Sequence, residues 1–393
     1  MEKLTYLDNA ATVYPKPKEI IDFMCQFYGE KGVNPGRSGY DLCIEAGQLV
    51  FEARKLLTAF FNGEDPNRLV FTSNASDSLN IIINGILKPG DHAITSNLEH
   101  NSVLRPLHHL CAKGIEVDYI PFDSEGYIDP DDIRRKIKAN TKLVVINHGS
   151  NVLGTVQPIG EIGAICRESE VIFAIDAAQT AGVVPIDVRK MNIDALAFTG
   201  HKSLLGPTGT GGIYVREGVE ISQTRAGGTG VRSAEPFHLP EYPYRLEVGT
   251  LNLMGIAGLH AAQKYIAREG MNNIYQKEMK LLDLFQQGVS EIKQITTYGT
   301  KSLSNRIPVL ALNITGFAPE DVGILLDGEY NIATRTGLHC APRVHEQLGT
   351  APKGSVRFSF GPANTEEDVL YALEALRQLV ELKTAPAKVR SSH

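Results

Sequence analysis

Through the middle of the chain, short apolar, β-rich runs alternate with stretches in which apolar residues recur every three or four positions. The runs at 69–72, 92–96, 116–120, 142–147, 171–176 and 195–199 predict strands, and the stretches at 76–87, 101–112, 130–139 and 159–168 predict helices. Strands separated by helices of this length imply a mainly parallel sheet with both faces covered. Ligands of such sheets bind beyond the carboxyl ends of the strands. Polar residues crowd those ends, at 73–76, 147–151, 176–179 and 199–202. A long helical pattern over 251–292, interrupted near Gly270, leads away from the sheet. The segments 309–313, 321–326, 332–335 and 355–358, with a last helix at 366–382, then predict a compact α+β unit. The division expected is an N-terminal segment 1–15 belonging to the smaller unit, a large domain over 16–255, a helical connection and small C-terminal domain over 256–385, and a polar, disordered tail over 386–393.

Composition changes this picture little. Hydrophobic residues make up 42% of the 393 and charged residues 21%, as in ordinary globular proteins. With 39 basic and 45 acidic residues the net charge is −6, which argues against nucleic acid or an anionic membrane as the main partner. No apolar run reaches transmembrane length and the first residues carry no signal-like apolar region, so a cytoplasmic protein is expected. The five cysteines form no C-x-x-C pair, and their wide, irregular spacing suggests neither a disulfide framework nor a zinc site. Cys25, Cys43, Cys111 and Cys166 sit in apolar or helix-like surroundings and read as buried packing. Cys340 differs, because Thr336-Gly337-Leu338-His339-Cys340-Ala341-Pro342 predicts a loop in which an exposed thiol can react.

The strongest chemical signal is Phe198-Thr199-Gly200-His201-Lys202, followed by the Gly-rich run 206–212. A lysine at a strand end can form a Schiff base with an aldehyde cofactor. Alone, Lys202 reads as a surface lysine beside a turn. Asp176 alters the balance, since a carboxylate ending the strand before it can pair with a protonated pyridine nitrogen, although it reads equally well as a cap for the residues that follow. The turn Thr72-Ser73-Asn74-Ala75-Ser76 places backbone N–H groups and a hydroxyl at a helix start, which suits a phosphate or a plain serine cap. Glu99-His100-Asn101-Ser102 puts an imidazole at the start of another helix.

Taken together, the chain resembles the class V aminotransferase-like group of fold-type I pyridoxal-phosphate (PLP) enzymes, and within it the cysteine desulfurases and selenocysteine lyases. The stretches that carry the likeness run in the family's order from Leu7-Asp8-Asn9-Ala10-Ala11-Thr12 through Thr72–Ser76, Glu99-His100, Ser150–Thr155, Asp176–Gln179, Thr199–Lys202 and Val248–Asn252 to Arg335–Ala341 and Val356–Ser359. The resemblance implies a large seven-stranded-type sheet domain and a small C-terminal one. It implies that Lys202 holds the cofactor and moves the substrate α-proton. Asp176 would face the pyridinium nitrogen, Gln179 the ring hydroxyl, and His100 the ring face. Ala75, Ser76, Thr199 and His201 would hold the phosphate, with Thr250 reaching in from a partner subunit of a homodimer. Asn151, which would also touch the cofactor, and Arg357 would take the substrate carboxylate, with Arg335 as a further substrate-binding residue. Cys340 would attack the sulfur of L-cysteine and become a persulfide, and His339, Arg335 or the cofactor would favour its thiolate. A sulfur-acceptor protein is implied, with iron–sulfur cluster assembly, tRNA thiolation and cofactor synthesis all open. Ser76 stands where many relatives have Thr, and segment 227–243 resembles neither main desulfurase branch. The spacing of 17 positions from Cys340 to Arg357 fits the branch with a short cysteine loop. A lyase acting on selenocysteine, another class V reaction on a small amino acid, and a non-catalytic scaffold retaining the fold are the alternative readings.

Overall fold

The computed structural model of the chain describes residues 4–36 and 38–384; the expected tail at 386–393 lies outside them. The centre is a seven-stranded sheet in the order Leu69–Thr72, Gly211–Val215, Ala195–Thr199, Ile172–Asp176, Thr141–Asn147, His92–Ser96, Glu116–Ile120. The last five strands run parallel, and Gly211–Val215 runs antiparallel to both its neighbours. Alternate residues feed two separate cores. Phe173, Ile175, Leu196 and Phe198 pack on one face, while Ala174, Ala195 and Ala197 pack on the other. Burial on both faces explains why these strands read as unbroken apolar runs.

Gly211–Val215 is the strand of this sheet that the sequence hides, because its glycines look like a loop. They are there for space. A Cβ at Gly212 would meet the Phe198 ring and the Val70 carbonyl, and one at Gly211 would meet the Asn74 backbone at 2.7 Å. Close approach of this strand therefore seats the turn that starts helix Ala75–Ile86.

Helices Leu253–Glu269 and Met271–Ser290 are separated at Gly270, whose φ of 82° suits glycine. A second, antiparallel sheet follows in the order Arg335–Gly337, Ser355–Ser359, Val309–Ile314, Ile295–Tyr298. It packs against the helices Met271–Ser290 and Glu366–Thr384 through Leu282, Phe285, Leu373 and Leu376. The segment expected as one piece at 332–335 is split. Ile332–Ala333 pairs in parallel with Thr5–Tyr6, whereas Arg335–Gly337 joins the second sheet. The first strand, and the bridge from Asp8 to Ser359, thus tie the start of the chain to its end. Among the described residues no helix is long and apolar enough to cross a membrane.

Two cysteine expectations are corrected. Cys43 and Cys166 are buried, but Cys25 and Cys111 are exposed. Both lie on outward faces of amphipathic helices (Lys18–Lys31 and Asn101–Cys111), where apolar neighbours in sequence point elsewhere.

Candidate active site

Register brings the chemical residues together. Asn147 pairs with Asp176, and Asp176 with Ala197, so three adjacent strands end side by side. Beyond them opens a cavity of about 360 Å³. His100, Asn151, Asp176, Gln179, Thr199, His201, Lys202, Arg335 and Arg357 line it, together with Ala75 and Ser76. Of the residues singled out from sequence, Thr250, Cys340 and His339 lie elsewhere. Thr250 is exposed, on a separate surface with Thr72, Ser73 and Asp77, and Cys340 sits behind Arg335.

Lys202 follows the Ala195–Thr199 strand at one end of this cavity. Burial pushes its ammonium down to about 8; Arg357 and Arg335 push the same way, and Asp176 and Cys340 oppose them. Asp176 is only 4% exposed, and its Oδ1 accepts from the Ala178 N–H at 2.9 Å. The cap reading holds, since one oxygen takes the Ala178 N–H, and the carboxyl also lines the cavity. Burial raises its pKa, against the Ala178 N–H and the charge of Lys202.

His100 caps helix Asn101–Cys111. Its Nδ1 accepts from the Ser102 N–H at 3.1 Å, which puts the ring proton on Nε2. Burial and then Lys202, Arg335 and Arg357 drive it down to about 3, so the ring is neutral. Glu99, just before it, is wholly buried. Burial lifts its carboxyl to about 8, while Ser96 Oγ and the Asn147 N–H hold Oε1.

The start of helix Ala75–Ile86 faces the same cavity. Asn74, not a serine, caps it, accepting from Asp77 N at 2.9 Å. That leaves the Ser76 hydroxyl free to meet Ser102 Oγ at 2.5 Å. Thr199 Oγ1 donates to the Thr210 carbonyl at 3.3 Å, and Gln179 Nε2 to the Ala10 carbonyl at 3.0 Å. His201 is pushed down to about 4 by burial, Lys202 and Lys16, and its Nδ1 is buried without a partner.

Arg357, on strand Ser355–Ser359, is 1% exposed. Nη2 donates to Asp8 Oδ1 at 2.6 Å and Nη1 to the Asn151 carbonyl at 3.1 Å. Arg335 Nη2 donates to Cys340 Sγ at 3.2 Å. Cys340 is half-buried rather than exposed, and both it and His339 adopt left-handed backbone angles (φ 58° and 49°). His339 supplies no positive charge to this thiol. It is buried, held well below the usual imidazole range by burial and the nearby arginines, and its Nε2 meets Ser355 Oγ at 3.1 Å.

Asp8, Asn147 and Ser102 complete the site, although the sequence reading gave none of them a role. Each stands inside or beside a quoted motif, and the signal that could have found them is position. Asp8 precedes the segment that closes over the cavity, Asn147 ends a strand, and Ser102 lies two places after a helix cap.

This fold sets a cavity lined by an amine, a carboxyl and two arginines at the carboxyl ends of a parallel sheet. The chain belongs to the class V aminotransferase family, whose sequence profile matches residues 5–371. A probable cysteine desulfurase of Methanothermobacter thermautotrophicus is 35% identical over 380 residues, covering 95% of this chain and 94% of that protein. The cysteine desulfurase IscS of Clostridium botulinum is 34% identical, covering 97% and 95%. The apo structure of a cysteine desulfurase from Thermococcus onnurineus NA1 aligns with a TM-score of 0.87 at 35% identity, over 96% of this chain and 95% of that one.

The family implies PLP, and the residues present fit it. The cavity offers an amine for an aldehyde, a buried carboxylate for a ring nitrogen and a helix N-terminus with a serine hydroxyl for a phosphate. The buried, unpartnered His201 Nδ1 and Asn151 Oδ1 are polar atoms that the protein itself leaves unsatisfied.

Proposed function

We propose that this protein is a cysteine desulfurase that moves the sulfur of L-cysteine onto Cys340 and releases L-alanine, with PLP held on Lys202. One observation carries the reading. The amine of Lys202, the carboxyl of Asp176, and Asn151 and Arg357 share one cavity, and Arg335 links that cavity to the sulfur of Cys340.

Each residue then has a task. The Arg357 guanidinium and the Asn151 amide take the substrate carboxylate, the guanidinium being anchored by Asp8 so that it presents a fixed face. Lys202 moves the α-proton. With its ammonium lowered to about 8, roughly one amine in ten is neutral at pH 7, against fewer than one in a thousand for an ordinary lysine. Bound PLP supplies an electron sink for the pair left at Cα, and the Asp176 carboxylate stabilises the ring charge that this requires. His100, neutral and held by Ser102, offers a flat face to the ring. Ala75, Ser76, Thr199 and His201 would hold the phosphate.

The sulfur step balances without an outside oxidant. The Cys340 thiolate attacks the substrate sulfur, an S–S bond forms, and the C–S bond breaks with its electron pair going to carbon. Protonation of that carbon gives alanine, and Cys340 keeps the sulfur as a persulfide. A sulfur-acceptor protein then takes it. A homodimer is part of the proposal, because Thr250 is exposed and outside its own chain's cavity. Exposed Phe23, Tyr28, Tyr40, Leu42 and Phe51 also give a second copy an apolar surface to cover. The test is an assay of alanine from L-cysteine with a persulfide trap. Alanine and trapped sulfur in equal amounts support the reading, and neither product overturns it.

A further inference from the structure

The loop that carries the reactive sulfur is held in an unfavourable shape. His339 and Cys340 are consecutive L-residues at φ 49° and 58°, a region that few residues other than glycine adopt, so two in a row depend on contacts from outside the loop. The Asn101 N–H donates to the Cys340 carbonyl at 2.7 Å, Arg335 holds Sγ, and Ser355 holds the His339 ring. The remaining contact comes from a residue with a second task. Asn151 Nδ2 donates to the His339 carbonyl at 2.7 Å. Asn151 is 4% exposed, its Oδ1 has no partner, and Arg357 Nη1 fixes its backbone carbonyl at 3.1 Å.

A side-chain amide carries two N–H bonds. One of those on Asn151 is spent on the His339 carbonyl, which leaves the other for an acceptor in the cavity that Asn151 and Arg357 both line. We infer that Asn151 is a positioning residue for Cys340: one N–H pins the cysteine loop while the other holds the substrate carboxylate, so a single amide sets the distance between substrate and attacking sulfur. This rests on the proposed reading of Asn151 and Arg357 as carboxylate ligands. It adds that substrate binding and nucleophile placement share one group. A ligand acting only on substrate would leave the loop unchanged when removed, and a purely structural amide would leave the Michaelis constant unchanged.

The experiment compares wild type, Asn151→Ala and Asn151→Asp as full-length, PLP-loaded enzymes. Cys340 is alkylated with iodoacetamide in the absence of cysteine, and the label is located by peptide mass spectrometry. The exposed Cys25 and Cys111 serve as internal controls. Loss of one hydrogen bond of ordinary net strength predicts alkylation of Cys340 about five-fold faster in both variants, with Cys25 and Cys111 unchanged. The Michaelis constant for L-cysteine rises at least as much. Wild-type alkylation rates at Cys340 in both variants overturn the inference, as does faster alkylation with an unchanged Michaelis constant. Alkylation without cysteine does not depend on desulfuration, so failure of the proposed reaction, seen as no alanine from wild type, is read separately.

Discussion

Arg335 donates a hydrogen bond to the sulfur of Cys340 at 3.2 Å while lining the cavity that also holds Lys202 and Arg357. The thiol proposed as nucleophile is therefore attached to the cavity through a cation. A hydrogen bond involving a charged group contributes about 1.5–3 kcal/mol. Arg335→Ala should slow persulfide formation by roughly ten- to a hundred-fold, and Arg335→Lys should recover only part of that because it lacks the fork. A single-turnover measurement of sulfur transfer checks this; an unchanged rate in Arg335→Ala would mean that the contact is idle.

Asp176 should matter more to rate than to cofactor retention. In the proposed reaction its buried carboxylate would act when charge develops on the ring, and groups of this kind contribute about 3–4 kcal/mol to a barrier. Asp176→Asn should cut turnover by a hundred-fold or more while weakening PLP binding much less. Comparable small losses in both, measured by turnover and by cofactor titration, would reduce Asp176 to its cap on Ala178.

Lys202 predicts a pH dependence in the cofactor-free chain. Its value is about 8 when folded and 10.5 as an ordinary lysine. Between these values the unfolded chain holds a proton that the folded chain lacks, so stability rises with pH across the window from about 8 to 10.5. Below pH 8 both states are protonated and the cost of burying the charge is fully present. Lys202→Met should therefore stabilise the cofactor-free chain below pH 8, with the advantage fading towards pH 10.5. Denaturant titrations at several pH values test this, and a constant difference between the two proteins would contradict it.

The parallel sheet was legible in sequence because its strands are buried on both faces and its turns are short. Part of the candidate site is legible because Asp176 ends an apolar run and Lys202 gains weight beside it, whereas the part given to Asn151 comes only from the resemblance. What was not legible has physical causes. Gly211–Val215 looked like a loop because its glycines serve contact with Phe198 and Asn74, which sequence does not display. The helix Asp41–Phe60 went unread although Cys43, Ala46, Leu49, Val50, Ala53 and Leu57 form its buried stripe. Cys340 was expected to be exposed, and only the three-dimensional contact with Arg335 shows it half-covered.

Thr250 tests the assembly. Exposed on its own chain, it is proposed to reach a partner's phosphate site. The active, PLP-loaded protein should sediment as a dimer, and Thr250→Ala should weaken PLP binding without altering that dimer. An active monomer with full cofactor would remove the shared site.

The central claim is that Cys340 accepts the sulfur, and Cys340→Ser tests it most directly. The variant is mixed with L-cysteine under single-turnover conditions while alanine and protein-bound sulfur are followed together. The account predicts that L-cysteine still binds, with its spectral change at the cofactor intact, while alanine and bound sulfur both fall by orders of magnitude. Alanine released at the wild-type rate would take Cys340 out of the reaction and favour a lyase that needs no protein thiol.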